Sequence, residues 1–445
     1  MGVDGQQQMG QVGNTSLLEE TMTADTNNYF LCIDLKSFYA SVECVERGLD
    51  PMTTLLAVAD PERTGKTICL AITPAMKALG IKNRCRVFEI PKNIEYIMAV
   101  PRMHLYLEYS ARIYGVYLKY IAKEDIHVYS VDEAFLDVTH YLRLYNMNAK
   151  ELGLRIMQDI YETTGIRATC GIGTNLYLCK IALDILAKHS PDFVGALNEA
   201  RYRRVLWDHR PLTDFWSIGG GTVRRLAQYG IYTMRQVAEA PEELLYRDFG
   251  IDAELLIDHA WGRETTTIAD IKAFRPASNS LSSGQVLPRD YDWQGGLLLT
   301  KEMTELQAQE LLSRGLVADS LTLTLGYAKS SGLGYVRGTR TLGRTGATNS
   351  AKAIREATEA LYREVALAGG PLRRIGVCMN RVRDEVCVQY SFFDDPAELE
   401  RERARQRAVL YIKDRYGHNA IFQGMDLLDG ARTLERNAQI GGHRA

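Results

Sequence analysis

Two adjacent carboxylates inside an apolar run constrain this chain more than any other feature of its sequence. The stretch YSVDEAFLDVT, residues 129–139, carries Asp132 and Glu133 between segments with the composition of strands bound for a core. A carboxylate left near a core without a partner is costly. The pair therefore either turns a hairpin in contact with water or holds a cation, and the pattern alone leaves both interpretations open.

A third acid, Asp34, directly follows a short apolar strand at 29–33. If the strands around Asp132 and Glu133 form a hairpin beside this first strand, the three carboxylates meet at one edge of a sheet. Clustered carboxylates repel one another, so their charged forms need a cation. Oxygen ligands suit Mg²⁺ or Mn²⁺, and two such ions about 4 Å apart serve in-line phosphoryl transfer.

The composition is that of an ordinary globular protein with several domains. Of the 445 residues, 46% are apolar and 24% are charged, and the net charge is −2. A chain that is neutral overall binds nucleic acid only through local basic patches. The eight cysteines include no C-x-x-C pair, which argues against a tetrahedral metal site and favours free thiols in a cytoplasmic protein.

Membrane insertion and export are not expected from the sequence. No apolar run is long enough to cross a bilayer. Residues 1–27 lack the basic and apolar parts of a signal peptide, and their polar composition predicts a disordered tail.

The order of periodic segments predicts two α+β units with a helical unit between them. Residues 28–190 follow a β-α-β-β-α-β order, which indicates a split βαβ sheet with helices on one face. Short helices with glycine turns follow, and then a second α+β segment at 281–393. The last clear element is a charged helix with Asp395 as its N-cap, Pro396 in its first turn and Gly417 at its end.

Four segments together resemble the Y family of DNA polymerases, the translesion enzymes. IDLKSFYASVE at 33–43 and YSVDEAFLDVT resemble the two palm signatures of that family. GIGTNLYLCKIALDILAK at 171–188 resembles the strand, turn and helix that carry a phosphate-contacting lysine, and DFWSIGGGTVRRLAQYGI at 214–231 resembles the thumb helix-hairpin-helix. The resemblance covers about residues 28–395 and is closest to the bacterial UvrX/UmuC-like branch.

The resemblance implies an α+β fold in the form of a right hand. The implied domains are a ferredoxin-like palm at 28–37 and 103–190, small fingers at 38–102, a helical thumb at 191–263, a linker at 264–280, an α+β little finger at 281–395, and a C-terminal helix and tail at 396–445. The implied activity is error-prone, template-directed addition of dNTPs to a primer 3′ end during damage tolerance, DNA repair and the SOS response. Accessory SOS proteins are further partners that the resemblance suggests.

The resemblance also gives roles to residues near the acids. Asp34, Asp132 and Glu133 would be the catalytic carboxylates and would bind two Mg²⁺ ions, with Mn²⁺ as the alternative and the backbone carbonyl of Leu35 as an extra ligand. Tyr39 would lie under the sugar of the incoming nucleotide and exclude a 2′-hydroxyl.

Other residues are implied in nucleotide binding. Phe38 precedes the tyrosine under the sugar, and both could instead be core aromatics. Lys180 would reach the β- and γ-phosphates. Pro74 and Lys77 stand where the family has a tyrosine and an arginine on the triphosphate, so these contacts are altered. The candidates to share that work are Arg63, Lys66 and Arg84.

Two segments are expected to contact DNA. In the thumb, the backbone N–H groups of Gly219 and Gly221 would bind a phosphate, with Ser217 in place of the usual first glycine. Residues 326–355 contain no acid, which predicts a phosphate-binding face. Its candidate contacts are Arg337, Arg340 and Arg344. The alternatives are a helical packing unit and a solvated basic face.

The segment QYSFF, residues 389–393, fits the pattern of bacterial sliding-clamp ligands. Gln389 would form hydrogen bonds in the pocket of the clamp β subunit, and Phe392 and Phe393 would fill it. The alternative is a strand end whose aromatic side chains pack inward.

Two other functions compete with polymerisation. A nucleotide cyclase also carries paired acids on a palm-like hairpin but has no need of residues 195–393. A non-catalytic DNA- and clamp-binding accessory protein has no need of the three acids.

Overall fold

The computed structural model describes residues 28–60, 66–342, 346–386 and 395–445. They belong to a first unit that ends at Phe274 and a second that begins at Arg275. The predicted N-terminal tail, Arg63, Arg344 and the clamp-like segment at 389–393 lie outside the described residues. Within the described part, no helix combines the length and the apolar character needed to cross a membrane.

The first unit is built around a five-stranded sheet. The strands described in this unit are β1 (Phe30–Leu35), β2 (Leu56–Val58), β3 (Ala71–Ile72), β4 (Ile97–Ala99), β5 (Ile126–Val128), β6 (Glu133–Asp137), β7 (Ala168–Gly173) and β8 (Val194–Leu197). The large sheet has the order β5-β6-β1-β7-β8. Its first four strands have the arrangement of a split βαβ sheet, so the predicted ferredoxin-like palm is confirmed.

The sheet extends past residue 190, where the sequence placed the end of the palm. Strand β8 pairs parallel to β7, with Cys170 opposite Val194. The polar link predicted at 264–280 is also partly structured, because a helix at Ile268–Ala273 packs Ile268 against the core under the sheet. Apolar patterning alone did not assign these pieces to the palm.

The first unit contains the following described helices. They are α1 (Phe38–Val45), α2 (Pro74–Ala78), α3 (Met103–Tyr117), α4 (Tyr141–Tyr145), α5 (Ala149–Thr164), α6 (Leu176–Ile181), α7 (Glu199–Val205), α8 (Gly220–Ala227), α9 (Met234–Glu239), α10 (Glu242–Phe249), α11 (Asp252–Trp261) and α12 (Ile268–Ala273). The two helices of the split βαβ order, α3 and α5, pack against each other, as expected for helices on one face of the sheet, and α6 adds a helix on the other face. Gly153 of α5 faces Leu31 on one side, whereas Cys32 on the opposite face packs against Leu176 of α6.

The fingers contain the small sheet β3-β2-β4 and the short helix α2. Thr73 caps α2 by accepting a hydrogen bond from the Met76 N–H at 3.4 Å, and Pro74 occupies its first turn. Proline is favoured there because its fixed φ suits a helix start and the missing N–H has no partner in any case. Pro74 thus begins a helix.

The second unit folds around its own apolar core. Its described strands are β9 (Asn279–Tyr291), β10 (Leu316–Val317), β11 (Ser320–Tyr327), β12 (Tyr335–Thr341), β13 (Leu372–Asp384), β14 (Gln439–Ile440) and β15 (His443–Arg444). Its helices are α13 (Trp293–Ser313), α14 (Ala351–Val365), α15 (Pro396–Tyr416) and α16 (Thr433–Asn437). The main sheet runs β10-β13-β11-β12, with β9 also paired to β13. The sequence divided 373–393 into two strands, but β13 continues without a break to Asp384.

The boundary signals of the last long helix are confirmed. The Asp395 carboxylate accepts a hydrogen bond from the Ala397 N–H at 2.9 Å, Pro396 lies in the first turn, and Gly417 follows the last helical residue. The tail beyond it adds the short helix α16 and the β14–β15 hairpin. Its structure was not predicted from the sequence.

Candidate active site

The three acids meet where strand β1 ends and strand β6 begins, at one end of the strands of the palm sheet. Strand β1 pairs antiparallel with β6, which places Asp34 opposite Glu133. The Leu35 N–H donates to the Asp132 carbonyl at 2.9 Å, so the turn before β6 also lies beside the end of β1. Strand β5 completes the hairpin. The predicted convergence of Asp34, Asp132 and Glu133 follows from this register.

Lysines on one helix face approach the acids. Lys180 Nζ lies 2.7 Å from Glu133 Oε1 and 3.0 Å from Asp184 Oδ2. Lys188 Nζ lies 2.8 Å from Asp184 Oδ1 and 4.0 Å from Asp34 Oδ2. The helix widens to π geometry at Ala182–Leu186, a feature often found at functional sites.

Negative charge at this edge exceeds what the lysines neutralise. Burial raises the pKa of Asp34 to about 7, with Asp132 and Glu133 adding to the rise and Lys188 opposing it. Burial lowers the pKa of Lys180, but Glu133 and Asp184 outweigh it and hold that pKa above its ordinary value. Asp34 is thus a buried carboxylate beside two others, an arrangement that a bound cation would stabilise.

The donor set fits a hard divalent ion. Among the described residues, no three His, Cys, Asp or Glu side chains are already grouped around an ion position. Glu133 faces Lys180 and accepts a hydrogen bond from the Cys32 thiol at 3.1 Å, while Asp132 accepts from the Ser130 hydroxyl at 2.6 Å. A divalent ion would take the place of these neighbours as the counter-charge of the carboxylate oxygens.

Two stacked tyrosine rings, Tyr39 and Tyr106, lie beside the acids. Helix α1 begins directly after β1 through Ser37, which adopts a left-handed conformation with φ 48°. Tyr39 in its first turn stacks on Tyr106 of α3 with ring centroids 4.6 Å apart and planes at 24°. Phe38 is buried, so Tyr39 is the more accessible ring of the two. The position assigned to the sugar thus has a supported aromatic side chain.

Next to Tyr106 lies a fully buried carboxylate, Glu43, whose environment was not predicted from the sequence. Glu43 of α1 accepts hydrogen bonds from Arg102 at 2.8 and 3.0 Å and from the Tyr106 hydroxyl at 2.8 Å, and Arg47 pairs with it as well. Burial works to raise the pKa of Glu43, but these donors outweigh it and hold that pKa below its ordinary value.

Lysines of the palm and fingers add positive charge near the acids. Burial lowers the pKa of Lys77, Asp34 opposes that effect, and Lys188 adds to it. The ammonium of Lys36 lies 3.9 Å above the Phe193 ring. The pKa of Lys36 is lowered by burial and then by Lys77. Both lysines therefore lie close enough to Asp34 to sense its charge.

The thumb turn presents open backbone. Gly219 is the N-cap of α8, and a Cβ at Gly219 or Gly221 would meet nothing within 4 Å. Ser217 takes φ 67°, the left-handed conformation that glycine would adopt at no cost. The backbone geometry is therefore kept despite the exchange of glycine for serine.

Strand β12 does not gather its arginines on one face, although the alternation in the sequence predicted that it would. Arg337 and Arg340 are both exposed but lie on opposite faces of the strand, and Arg340 Nη1 lies 3.2 Å from Glu364 Oε2 of α14. No ion pair forms with Arg337 among the residues that the structure describes.

The sequence contained a pattern that predicts some of the residues found near the acids but not others. Lys180, Asp184 and Lys188 recur every four residues, which predicts one helix face. Of the partners of Glu43, only Arg47 has this four-residue spacing, and Arg102 and Tyr106 carried no signal because they lie 59 and 63 residues away.

Comparison with known proteins identifies relatives across both units. Residues 33–184 match the impB/mucB/samB family, and residues 278–392 match the C-terminal domain of the same family. UvrX of Bacillus subtilis (strain 168) is 30% identical over 93% of this chain and 97% of its own length. DNA polymerase IV 2 of the same organism is 27% identical over 92% of this chain and 97% of its length.

A solved structure shares the fold. The Y-family DNA polymerase chimera Dbh-Dpo4(243-245)-Dbh aligns with a TM-score of 0.61 at 21% identity, over 80% of this chain and 99% of that one. This likeness supports the α+β right-hand fold expected from the sequence.

Proposed function

The chain belongs to the impB/mucB/samB family of Y-family, translesion DNA polymerases, and we propose that it adds dNTPs to a primer 3′ end where Asp34, Asp132 and Glu133 meet. The observation that carries this proposal is the β1–β6 register, which puts Asp34 opposite Glu133 at a partly open sheet edge.

Enzymes of this family are metal-dependent nucleotidyltransferases. The proposed ion is Mg²⁺, two per site, with Mn²⁺ as the alternative. Asp34, Asp132, Glu133 and the Leu35 carbonyl would hold the ions, which when bound supply Lewis-acid activation of the primer hydroxyl and charge for the leaving pyrophosphate.

The protein's own residues orient the nucleotide in this proposal. Lys180 and Lys77 neutralise phosphate oxygens, with Lys36 and Lys188 as additions that the sequence did not suggest. Once the carboxylates have another counter-charge, Lys180 is released from Glu133 to a phosphate. Tyr39 lies against the sugar and leaves room for hydrogen but not for a 2′-hydroxyl.

Primer-template DNA is the substrate, and the contacts proposed for it come from both units. The open backbone of Gly219 and Gly221 supports a phosphate contact in the first unit. The exposed Arg337 and Arg340 support one in the second. Arg344 is proposed from its place in the acid-free segment alone.

Replacing one acid tests the proposed centre. Asp132→Asn should reduce primer extension by about three or more orders of magnitude, because it removes a ligand charge, while DNA binding and the folded state are kept. Extension within tenfold of the wild type would overturn the assignment. Arg340→Ala is the comparison variant, because it should weaken DNA binding without affecting the chemical step.

A tether to the sliding clamp is proposed from sequence. Gln389, Phe392 and Phe393 form the pattern at the end of the second family match. Tethering would raise the effective concentration of the enzyme at the primer end. Changing both phenylalanines to Ala should abolish binding to immobilised clamp β subunit and spare basal extension. Clamp binding that persists in this variant would mean that the aromatics only pack inward.

A further inference from the structure

The C-terminal helix packs on the second unit through polar side chains. Its buried residues are Glu402, Arg403, Gln406 and Lys413. Glu402 accepts from the Ser350 hydroxyl and the Lys352 N–H at 3.0 Å, and so caps the start of α14. Three of the four have partners, since Arg403 pairs with Glu385 and Lys413 donates to Gln309 at 2.9 Å.

Gln406 is the exception. It is 6% exposed, and neither its amide nitrogen nor its amide oxygen has a hydrogen-bond partner among the described residues. A buried amide left without partners costs about 1–3 kcal/mol per group. Such a residue indicates a missing partner.

Gln406 lines a cavity of about 330 Å³ between α13, α14, α15 and the C-terminal tail. One more buried atom on its wall also lacks a partner in the described part of the chain, Glu305 Oε2. The cavity therefore offers amide donors and two acceptors to an occupant, and its size is at the lower end of that of small-molecule sites.

The remaining lining narrows the class of occupant. Phe422 is 42% exposed and contributes an aromatic ring to the wall. Arg355 and Arg405 also line the cavity, and neither forms an ion pair among the residues described. A polyol would use the polar atoms but leave both arginines without an anion. A nucleotide uses all three features, since a glutamine amide pairs with a base edge, an aromatic ring stacks on a base, and arginine binds phosphate.

We propose that this cavity binds a mononucleotide, with the base against Gln406 and Phe422 and the phosphate toward Arg355 and Arg405. The site lies between the little-finger helices and the C-terminal segment, most of which follows the last residue matched by the family models, 392. None of the residues of the proposed active site line it, although Arg355 is the last residue of the acid-free segment 326–355.

Calorimetric titration of the full chain with AMP in EDTA, without DNA, tests the proposal. One saturable site is expected. Arg405→Ala should weaken binding about tenfold through loss of a charge-assisted contact, and Gln406→Leu should abolish it. Arg407→Ala is the matched control, because Arg407 is exposed on the same helix and does not line the cavity.

Two further measurements separate the outcomes. Gln406→Leu should unfold at or above the wild-type temperature, because leucine replaces both unpartnered atoms, so its loss of binding is not a loss of fold. Primer extension by Arg405→Ala should equal that of the wild type, which keeps this site separate from the proposed active site. Absence of saturable AMP binding, or equal affinity in all three variants, would overturn the proposal and mean that water fills the cavity.

Discussion

Glu43 and Asp34 lie on consecutive elements of the first unit, α1 and β1, and their surroundings are opposite. Glu43 is completely buried, yet Arg102, Arg47 and Tyr106 satisfy its oxygens and its pKa is lowered. Asp34 keeps 23% of its side chain exposed, and its nearest cation, Lys188, stays 4.0 Å away. Its pKa is raised to about 7.

The difference separates a structural acid from one available for a ligand. A carboxylate with its full set of donors stabilises the fold and has no free oxygen for another cation. A carboxylate crowded by other acids destabilises the protein until a cation arrives. Tyr106 links the two, because it donates to Glu43 and stacks on Tyr39 beside the acids.

Tyr39→Ala should give the largest change. Removing the ring opens the space beside the sugar, and ribonucleotide incorporation should rise by about two or more orders of magnitude, or about 2.7 kcal/mol in transition-state terms. Incorporation of dNTPs should fall only modestly. Single-turnover insertion of one dNTP and its matching rNTP measures the ratio. An unchanged ratio of rNTP to dNTP insertion would mean that Tyr39 is only a core aromatic residue.

Glu43→Gln should destabilise the first unit by about 2 kcal/mol, because the amide cannot accept from all of the present donors. Since the folded-state pKa of Glu43 is lowered, its contribution is complete above its ordinary pKa of 4.5 and is lost as the pH falls through the folded value. Denaturant unfolding of both proteins should show the full difference at neutral pH and a smaller one under acid conditions. A difference independent of pH would contradict the charged role of Glu43.

Asp34→Asn should change stability in the opposite direction from Glu43→Gln. Without divalent ions and at mildly alkaline pH, removing this charge should leave stability unchanged or raise it by about 1 kcal/mol, because it relieves repulsion with Asp132 and Glu133. Urea unfolding in EDTA measures the change. A loss of stability as large as that of Glu43→Gln would remove the distinction between the two acids.

The sequence predicted the acids and the strands well, for a local reason. Asp132 and Glu133 are adjacent in the chain, and Asp34 ends an apolar strand, so patterns of period two place all three at strand ends. The Glu43 cluster was missed because two of its three partners, Arg102 and Tyr106, are far away in the sequence.

The docking of the tail was missed for another reason. Helix α15 buries Glu402, Gln406 and Lys413 in place of an apolar face. Hydrophobic periodicity, which predicts packing faces elsewhere, carries no signal there.

Tyr106→Phe tests whether the buried Glu43 cluster helps to position Tyr39 beside the proposed active site. The variant keeps the ring stacked on Tyr39 but removes the hydroxyl that donates to Glu43 Oε1 at 2.8 Å. Losing this one hydrogen bond to a charged group should cost about 1.5 kcal/mol of stability. If the bond also fixes the ring behind Tyr39, discrimination against ribonucleotides should fall about threefold, or about 0.6 kcal/mol.

The same helix offers a matched control. Tyr109 also donates to a carboxylate, that of the exposed Glu46 at 2.7 Å, and its ring makes no stacking contact with Tyr39 in the described structure. Tyr109→Phe should therefore lower stability without any change in the ratio of rNTP to dNTP insertion. Equal ratios in both variants would show that the Glu43 cluster only stabilises the fold. A change confined to Tyr106→Phe would show that the Glu43 cluster also positions Tyr39, because both substitutions remove only a hydroxyl and keep the ring.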